Sequence, residues 1–516
     1  MGLRHRLLNC QKRLSKNLKR SATTYLGTLP PHLEKYAEEY YRELREYEKI
    51  CNKTDILDEV FKSQLILCGD YHSLSQAQRT VIRILRDILP RLKKEKKTLY
   101  LGLEILRARD TVRAQQFLNG QISEENFLEA VAFERWGFDW QNYRPLFETC
   151  REWNIPVFGL SPDKMSSLQK RDQFAADIIT NWSSQFPKAM LMCLMGDLHL
   201  AKNHLPAEIQ IALARKKISR QLLTVHQNHD ALYWKLAQKN LELKTEVIKL
   251  SKRNYCILNT PPWIKLQNHL KWMEFTAVLE EESDAFLSEI ELEAIRDPLH
   301  DIHYLVQEIA SVIGFDRKRL GGLDSIQIVG PQNRQQQAGL YLYPQKTFLL
   351  SEGFGLNQLA TQSAQYIHGE MSGFKKIFND GFKDFYPFVW VEALGFLGSK
   401  LINPRRKCHG EQDFRASKSP LLQLAARHLR HERKKTTQSL LNPPRDKAQA
   451  FQLIQLLGKL LGQGLFELIH RGEVSQNQLK ELFQSNFDET SGQLYLLWVQ
   501  KLDRWKLRDF SYRDKL

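Results

Sequence analysis

The chain has 516 residues, 42% of them hydrophobic and 10% aromatic, which is the make-up of a folded protein with two or three domains and excludes a disordered or fibrous chain. No run approaches the roughly 18 continuous apolar residues of a membrane helix. Seven cysteines without a Cys-x-x-Cys pair exclude a disulfide framework and a zinc finger, and the net charge of +16 favours anionic partners such as phosphates or anionic lipid.

Residues 1–56 read as a basic helical arm. Arg4, Arg6, Lys12, Arg13, Lys16, Lys19 and Arg20 stand without an acid among the first twenty residues, and Leu3, Leu7, Leu14 and Leu18 recur at near-helical spacing. Such a helix is expected either to touch an anionic membrane surface or to dock on its own protein. Leu7-Leu8-Asn9-Cys10 lacks the apolar run and the small residue of a lipoprotein signal, and the cysteines are unpaired. The expected location is therefore the cytoplasm, with at most a peripheral membrane contact.

From 57 to 265 short apolar runs at Leu65 to Cys68, Leu99 to Leu103, Val157 to Leu160, Met190 to Met195 and Leu222 to Val225 alternate with helical patterns such as Gln76 to Leu92 and Arg171 to Trp182. This alternation predicts an α/β domain, a mostly parallel sheet with helices on both faces. Val247 to Leu250 and Tyr255 to Leu258 flank a short polar link and predict an antiparallel hairpin at the sheet edge. Thr260-Pro261-Pro262-Trp263 is expected to break the pattern and to mark the domain boundary. Residues 266–516 are expected to form a mainly α-helical C-terminal domain. Its helical runs are His269 to Ala310, with the acidic Glu280 to Glu282, then Gly355 to Ile377, Val389 to Leu401, Ser419 to Arg433, Asp446 to Arg471 and Ser475 to Gln484. A small strand-rich patch lies at Ser325 to Val329 and Leu340 to Tyr343.

Two apolar runs end in the same motif: Gly69-Asp70-Tyr71-His72 and Gly196-Asp197-Leu198-His199. Each places a histidine at the mouth of a buried strand, the edge where open α/β sheets bind ligands. A third run ends on Glu104. Two imidazoles and a carboxylate form a candidate cluster for holding a divalent metal or for acid/base chemistry. Asp70 and Asp197 are expected to orient the histidines through a ring N–H or to cap helices.

The stretch from Leu65 to about Leu205 resembles the ChaN-like domain of the haem-binding uptake and Tiki superfamily, which is related to the erythromycin esterases. The pieces that carry the resemblance are Gly69 to His72, Leu103-Glu104, Leu118-Asn119-Gly120 with Ser123-Glu124-Glu125, Trp140 with Tyr143 to Leu146, Ile155 to Gly159, and Gly196 to His199. Asp70 stands where the family usually has a glutamate. The resemblance implies a haem- or metal-binding protein, with Tyr71, His72, Tyr143, His199 and His204 as haem contacts and Trp140 as an aromatic wall. It also implies a competing hydrolase in which His72, Glu104 and His199 act on water, directly or through a metal.

Other patterns carry less. His226/His229 and His300/His303 have i, i+3 spacing suited to a metal but lack a convincing carboxylate pattern. Cys408-His409 follows Arg405-Arg406-Lys407, a basic setting that lowers a thiol pKa. Nucleic acid is not an expected partner, because the basic block Arg427 to Lys435 has no interleaved aromatics.

Overall fold

The computed structural model describes residues 2–26, 31–164, 166–280, 298–316, 320, 327–329, 340–342, 347–349, 355–374, 384–432, 440–488, 490–504 and 516. Of the sequence expectations, Glu281-Glu282, residues 325–326 and 343, and the ends of the 355–377 and 427–435 segments lie outside them. The chain forms two compact units, Leu18–Phe286 with Leu516, and Met1–Asn17 with Leu287–Lys515.

The first unit is built on eight strands: β1 (Lys49–Cys51), β2 (Leu65–Asp70), β3 (Leu99–Arg107), β4 (Val157–Ser161), β5 (Met190–Gly196), β6 (Leu222–Gln227), β7 (Val247–Ser251) and β8 (Asn254–Ile257). Their order in the sheet is β1-β7-β8-β6-β2-β5-β3-β4. Strands β2 to β6 and β8 run parallel, and the β7–β8 hairpin with β1 supplies an antiparallel edge. The chain runs outward from β2 through β3 to β4, returns to insert β5, and continues on the other side through β6 and β8. That reversal is a topological switch point, and it lies at the central strands.

Unbroken apolar strands form because both faces of the sheet are covered. All six residues of β2 are buried. Ile66 and Cys68 belong to the core on one face, which includes residues of helices Ser75–Lys94 and Trp140–Trp153. Leu65 and Leu67 belong to the opposite core, which includes residues of Leu168–Gln185 and Leu205–Arg215. The period-2 alternation of strand side chains thus assigns each residue of β2 to a face.

Three details depart from the sequence expectations. β1 lies inside the segment read as a helical arm. β3 runs on to Arg107, so Glu104 sits within the strand and not at its end. Pro262 opens the helix Pro262–Glu280 instead of interrupting the chain, because proline tolerates the first helical turn, where its missing N–H would have no partner.

In the second unit, helix Phe385–Ile402 packs against Leu356–Ser372 and Lys447–His470. It is long and apolar enough to cross a membrane, yet 83% of that window is buried within the protein, as in a core helix. Leu7, Cys10 and Leu14 of the basic N-terminal helix are also buried, and Arg13 makes a two-pronged ion pair with Glu308. A small sheet follows the order β10-β11-β9, with β9 Gln327–Val329, β10 Leu340–Leu342 and β11 Thr347–Leu349. Cys408 is buried and its thiol is pushed up to about 12 by burial, the reverse of a reactive thiol.

Candidate functional site

The two Gly-x-x-His motifs end neighbouring strands, with Asp70 of β2 opposite Gly196 of β5. They are therefore staggered by one residue. Glycine is needed in both by close approach: a Cβ at Gly69 would stand 2.5 Å from Asp197 Oδ1, and one at Gly196 would meet Glu104, His72 and His199 within 3.5 Å. Gly196 is thus the gap through which three functional side chains meet. Gly69→Ala is expected to push Asp197 off its partner and to lower stability by roughly 1–3 kcal/mol, read as a lower urea midpoint.

The structure brings His72, Glu104 and His199 together. Glu104 is the hub: its Oε1 accepts from Arg171 and lies 3.4 Å from His199 Nε2, while its Oε2 accepts from the Gly196 N–H at 2.5 Å and lies 3.8 Å from His72 Nε2. His199 Nδ1 donates to Asp172 at 2.5 Å, and Tyr36 donates to the other oxygen of that carboxylate. His72 Nδ1 lies 2.9 Å from Asp70, which also accepts from Tyr143 at 2.7 Å and from Gln78 at 2.5 Å. Two Asp–His pairs therefore face one glutamate from opposite sides.

Electrostatics fixes the charge states. Burial alone would raise the Glu104 pKa, but His199, His72 and Arg171 outweigh it and hold the carboxyl far below the usual range. Burial alone would lower the His199 pKa, and Glu104 with Asp172 instead raises it to about 9. His72 is raised too, by Asp70 and Glu104 against its own burial. Near neutral pH Glu104 is ionised and His199 protonated, so the centre of the site is an ion pair buried beside Arg171.

That network bears on the chemistries expected from the sequence. Among the described residues no group of three or more His, Cys, Asp or Glu side chains is arranged to hold a metal ion. Glu104 is saturated by hydrogen bonds and an arginine, so a divalent cation would have to displace Arg171, and the residues do not fit a metal centre. A hydrolytic reading is not favoured at Glu104 and His199, since the carboxylate is fully paired and the His199 imidazole is protonated near neutral pH.

The carboxylates also divide their work differently from the symmetry of the motifs. Asp70 contacts His72 Nδ1 at 2.9 Å, but Asp197 ion-pairs with Lys265 Nζ at 3.0 Å, and His199 Nδ1 meets Asp172. Arg171 and Asp172, adjacent on the Leu168–Gln185 helix, contact Glu104 and His199 and were not revealed by the motifs. Both lie opposite distant partners, and nothing in their spacing announces them.

The remaining candidates separate. Tyr143 is buried, with its hydroxyl donating to Asp70. His204 is buried, stacked on Tyr36, and bonded to Leu198 O and Glu39. Trp140 is a core residue packed among Phe127, Phe133 and Phe147. His226 and His229 are buried, and burial pushes each down to about 3. The side chain of His300 lies outside the described residues.

His72 and Tyr71 instead reach a partly exposed aromatic rim. Trp136 and Phe138 contact the His72 ring at 5.1 and 4.9 Å between centroids. Trp272 stacks on Phe138 and on His269, and His269 meets Tyr71 edge-on. Lys265 Nζ lies over the Tyr71 ring at 4.4 Å. Trp136 Nε1, beside His72, is buried without a hydrogen-bond partner. Flat rings, an imidazole and an orphaned donor fit a planar macrocycle with acidic substituents.

The unit is an open α/β sheet, and the cluster around Glu104 lies at its switch point. Residues 56–170 match the family described as haem-binding uptake, Tiki superfamily, ChaN. Among solved structures the chain is similar to ChaN of Campylobacter jejuni with cofacially bound haem, at 13% identity over 35% of this chain and 87% of that one, with a TM-score of 0.27. No curated protein matches the chain.

Proposed function

We propose that the α/β unit binds haem at the aromatic rim, with His72 as the iron ligand. The observation that carries this is the ring cluster around His72, with the unpartnered indole N–H of Trp136 at its edge. A ligating imidazole characteristically donates its second ring N–H to a carboxylate, and Asp70 stands at that position. Trp136, Phe138 and Trp272 supply stacking surface, and Tyr71 flanks the ligand from the neighbouring position of the motif. Tyr143, His199 and His204 support the rim from inside, because their polar atoms are engaged within the protein.

Bound iron would bring redox or axial-ligand chemistry. The chain's own contribution is to hold the His72 ring, wall off the macrocycle and keep a fixed charge network beneath it. Titration of the full chain with haemin tests this. A saturable shift of the Soret band is expected, with at least tenfold weaker binding and an altered band position in His72→Ala. No saturable shift would overturn haem binding. A spectrum unchanged in His72→Ala and lost in His269→Ala would overturn His72 as the ligand.

A further inference from the structure

The helical unit contains a cleft of about 450 Å³ whose lining includes Asn357, Thr361, Glu392, Arg406, Gln455 and Lys459. Its volume is that of a small-molecule site. Its lining is entirely polar side chains and glycine. Arg406 is partly buried and held by several contacts. Its guanidinium lies on the Phe396 ring at 4.8 Å, and its Nη1 donates to Asn357 O at 3.0 Å and to Thr361 Oγ1 at 2.6 Å. No carboxylate contacts it among the described residues. Burial lowers its pKa, with Glu392 acting against that loss only through space.

The rest of the cleft does not supply the missing counter-ion. Glu392 pairs with Lys459 only at 3.9 Å, and burial raises its pKa. Two cations against one acid leave one positive charge uncompensated. A fixed, unpaired guanidinium is a costly feature for a helical core and a suitable one for recognising a planar oxyanion through two parallel N–H bonds.

We propose that this cleft is a second ligand site, independent of the haem reading, and that it binds a small polar metabolite through a carboxylate or phosphate group held by Arg406. Lys459 adds attraction, and the amides of Gln455 and Asn357 supply neutral contacts for the remainder of the ligand. The size suits a small organic acid or a phosphate ester.

Calorimetric titration of the full chain at constant ionic strength tests the site, with L-malate, L-glutamate and inorganic phosphate as probes. Saturable binding of at least one probe is expected. Binding only by the two acids assigns a carboxylate, and binding only by phosphate assigns a phosphate group. Arg406→Met is expected to weaken the effective probe at least tenfold. Arg406→Lys, which keeps the charge but loses the fork, is expected to weaken it nearly as much. Arg430→Met, which removes an exposed charge of the same unit, leaves binding intact. If Arg406→Met unfolds the unit by circular dichroism, Arg406→Lys decides. No saturable heat from any probe, or affinity retained in the folded Arg406 variants, would overturn the proposal.

Discussion

Glu104→Gln is expected to destabilise the α/β unit by roughly 3–5 kcal/mol, the cost of removing one member of a buried ion network. The carboxylate is 2% exposed and touches Arg171, His199 and the Gly196 N–H. An amide keeps the shape and one acceptor, so little volume is lost. What disappears is the negative charge that compensates a buried guanidinium and a buried imidazolium. His199 can escape by giving up its proton, but Arg171 cannot. The loss should therefore shrink when Arg171→Met is added, making the double variant less destabilised than the two single losses together. Urea unfolding at pH 6, followed by a probe confined to this unit, measures both quantities. A loss below about 1 kcal/mol for Glu104→Gln would mean that Glu104 is not the structural centre of the site.

The parts of this site that were legible in the sequence are those whose information is local. β2 and β5 read as buried strands because each is a short, unbroken apolar run. Their histidines follow a glycine by three residues, so the motif displays itself. The antiparallel β7–β8 hairpin was legible for the same reason, two runs separated by a short polar link. β1 was not, because Lys49, Ile50 and Cys51 form a strand only by lying against β7. The symmetry of the two motifs also misled. Asp70 is still in β2, whereas Asp197 falls beyond the end of β5, in a tight turn that carries it toward Lys265. A one-residue stagger between adjacent strands therefore gives two identical dipeptides different partners. Asp172 takes the vacated role from a helix on the far side of the sheet, at a sequence distance that no pattern encodes. The aromatic rim was hidden likewise, since Phe138, His269 and Trp272 meet only once the Pro262–Glu280 helix packs beside the strand ends.

Stability of the α/β unit is expected to peak near pH 6.5 and to fall on both sides, for two different histidine environments. His199 has its folded pKa raised from the ordinary 6.5 to about 9 by Glu104 and Asp172 acting against burial. Below 6.5 its contribution is fully present, and it is lost as pH rises toward 9, by roughly 3 kcal/mol. His226 and His229 behave oppositely. Burial depresses both to about 3, so the folded state holds them neutral while the unfolded chain binds protons below 6.5. Their contribution is present above 6.5 and is lost as pH falls toward 3, on the order of several kcal/mol in total. Asp172 and Asp197, whose pKa values burial raises, oppose this acid loss in part, because their effect is fully present only below the ordinary aspartate range. Glu104 adds its own loss only in stronger acid, since its pKa is lowered. The helical unit has a separate acid limb, through His368 and His428, pushed down to about 4 by burial, so whole-chain unfolding would blur the two. Amide hydrogen exchange in β2 and β5, followed from pH 4 to 9, isolates the α/β unit once intrinsic exchange rates are divided out. His199→Gln should flatten the alkaline limb and leave the acid one, while His226→Gln should soften the acid limb and leave the alkaline one. An alkaline limb that persists unchanged in His199→Gln would show that this imidazole is not held charged between Glu104 and Asp172.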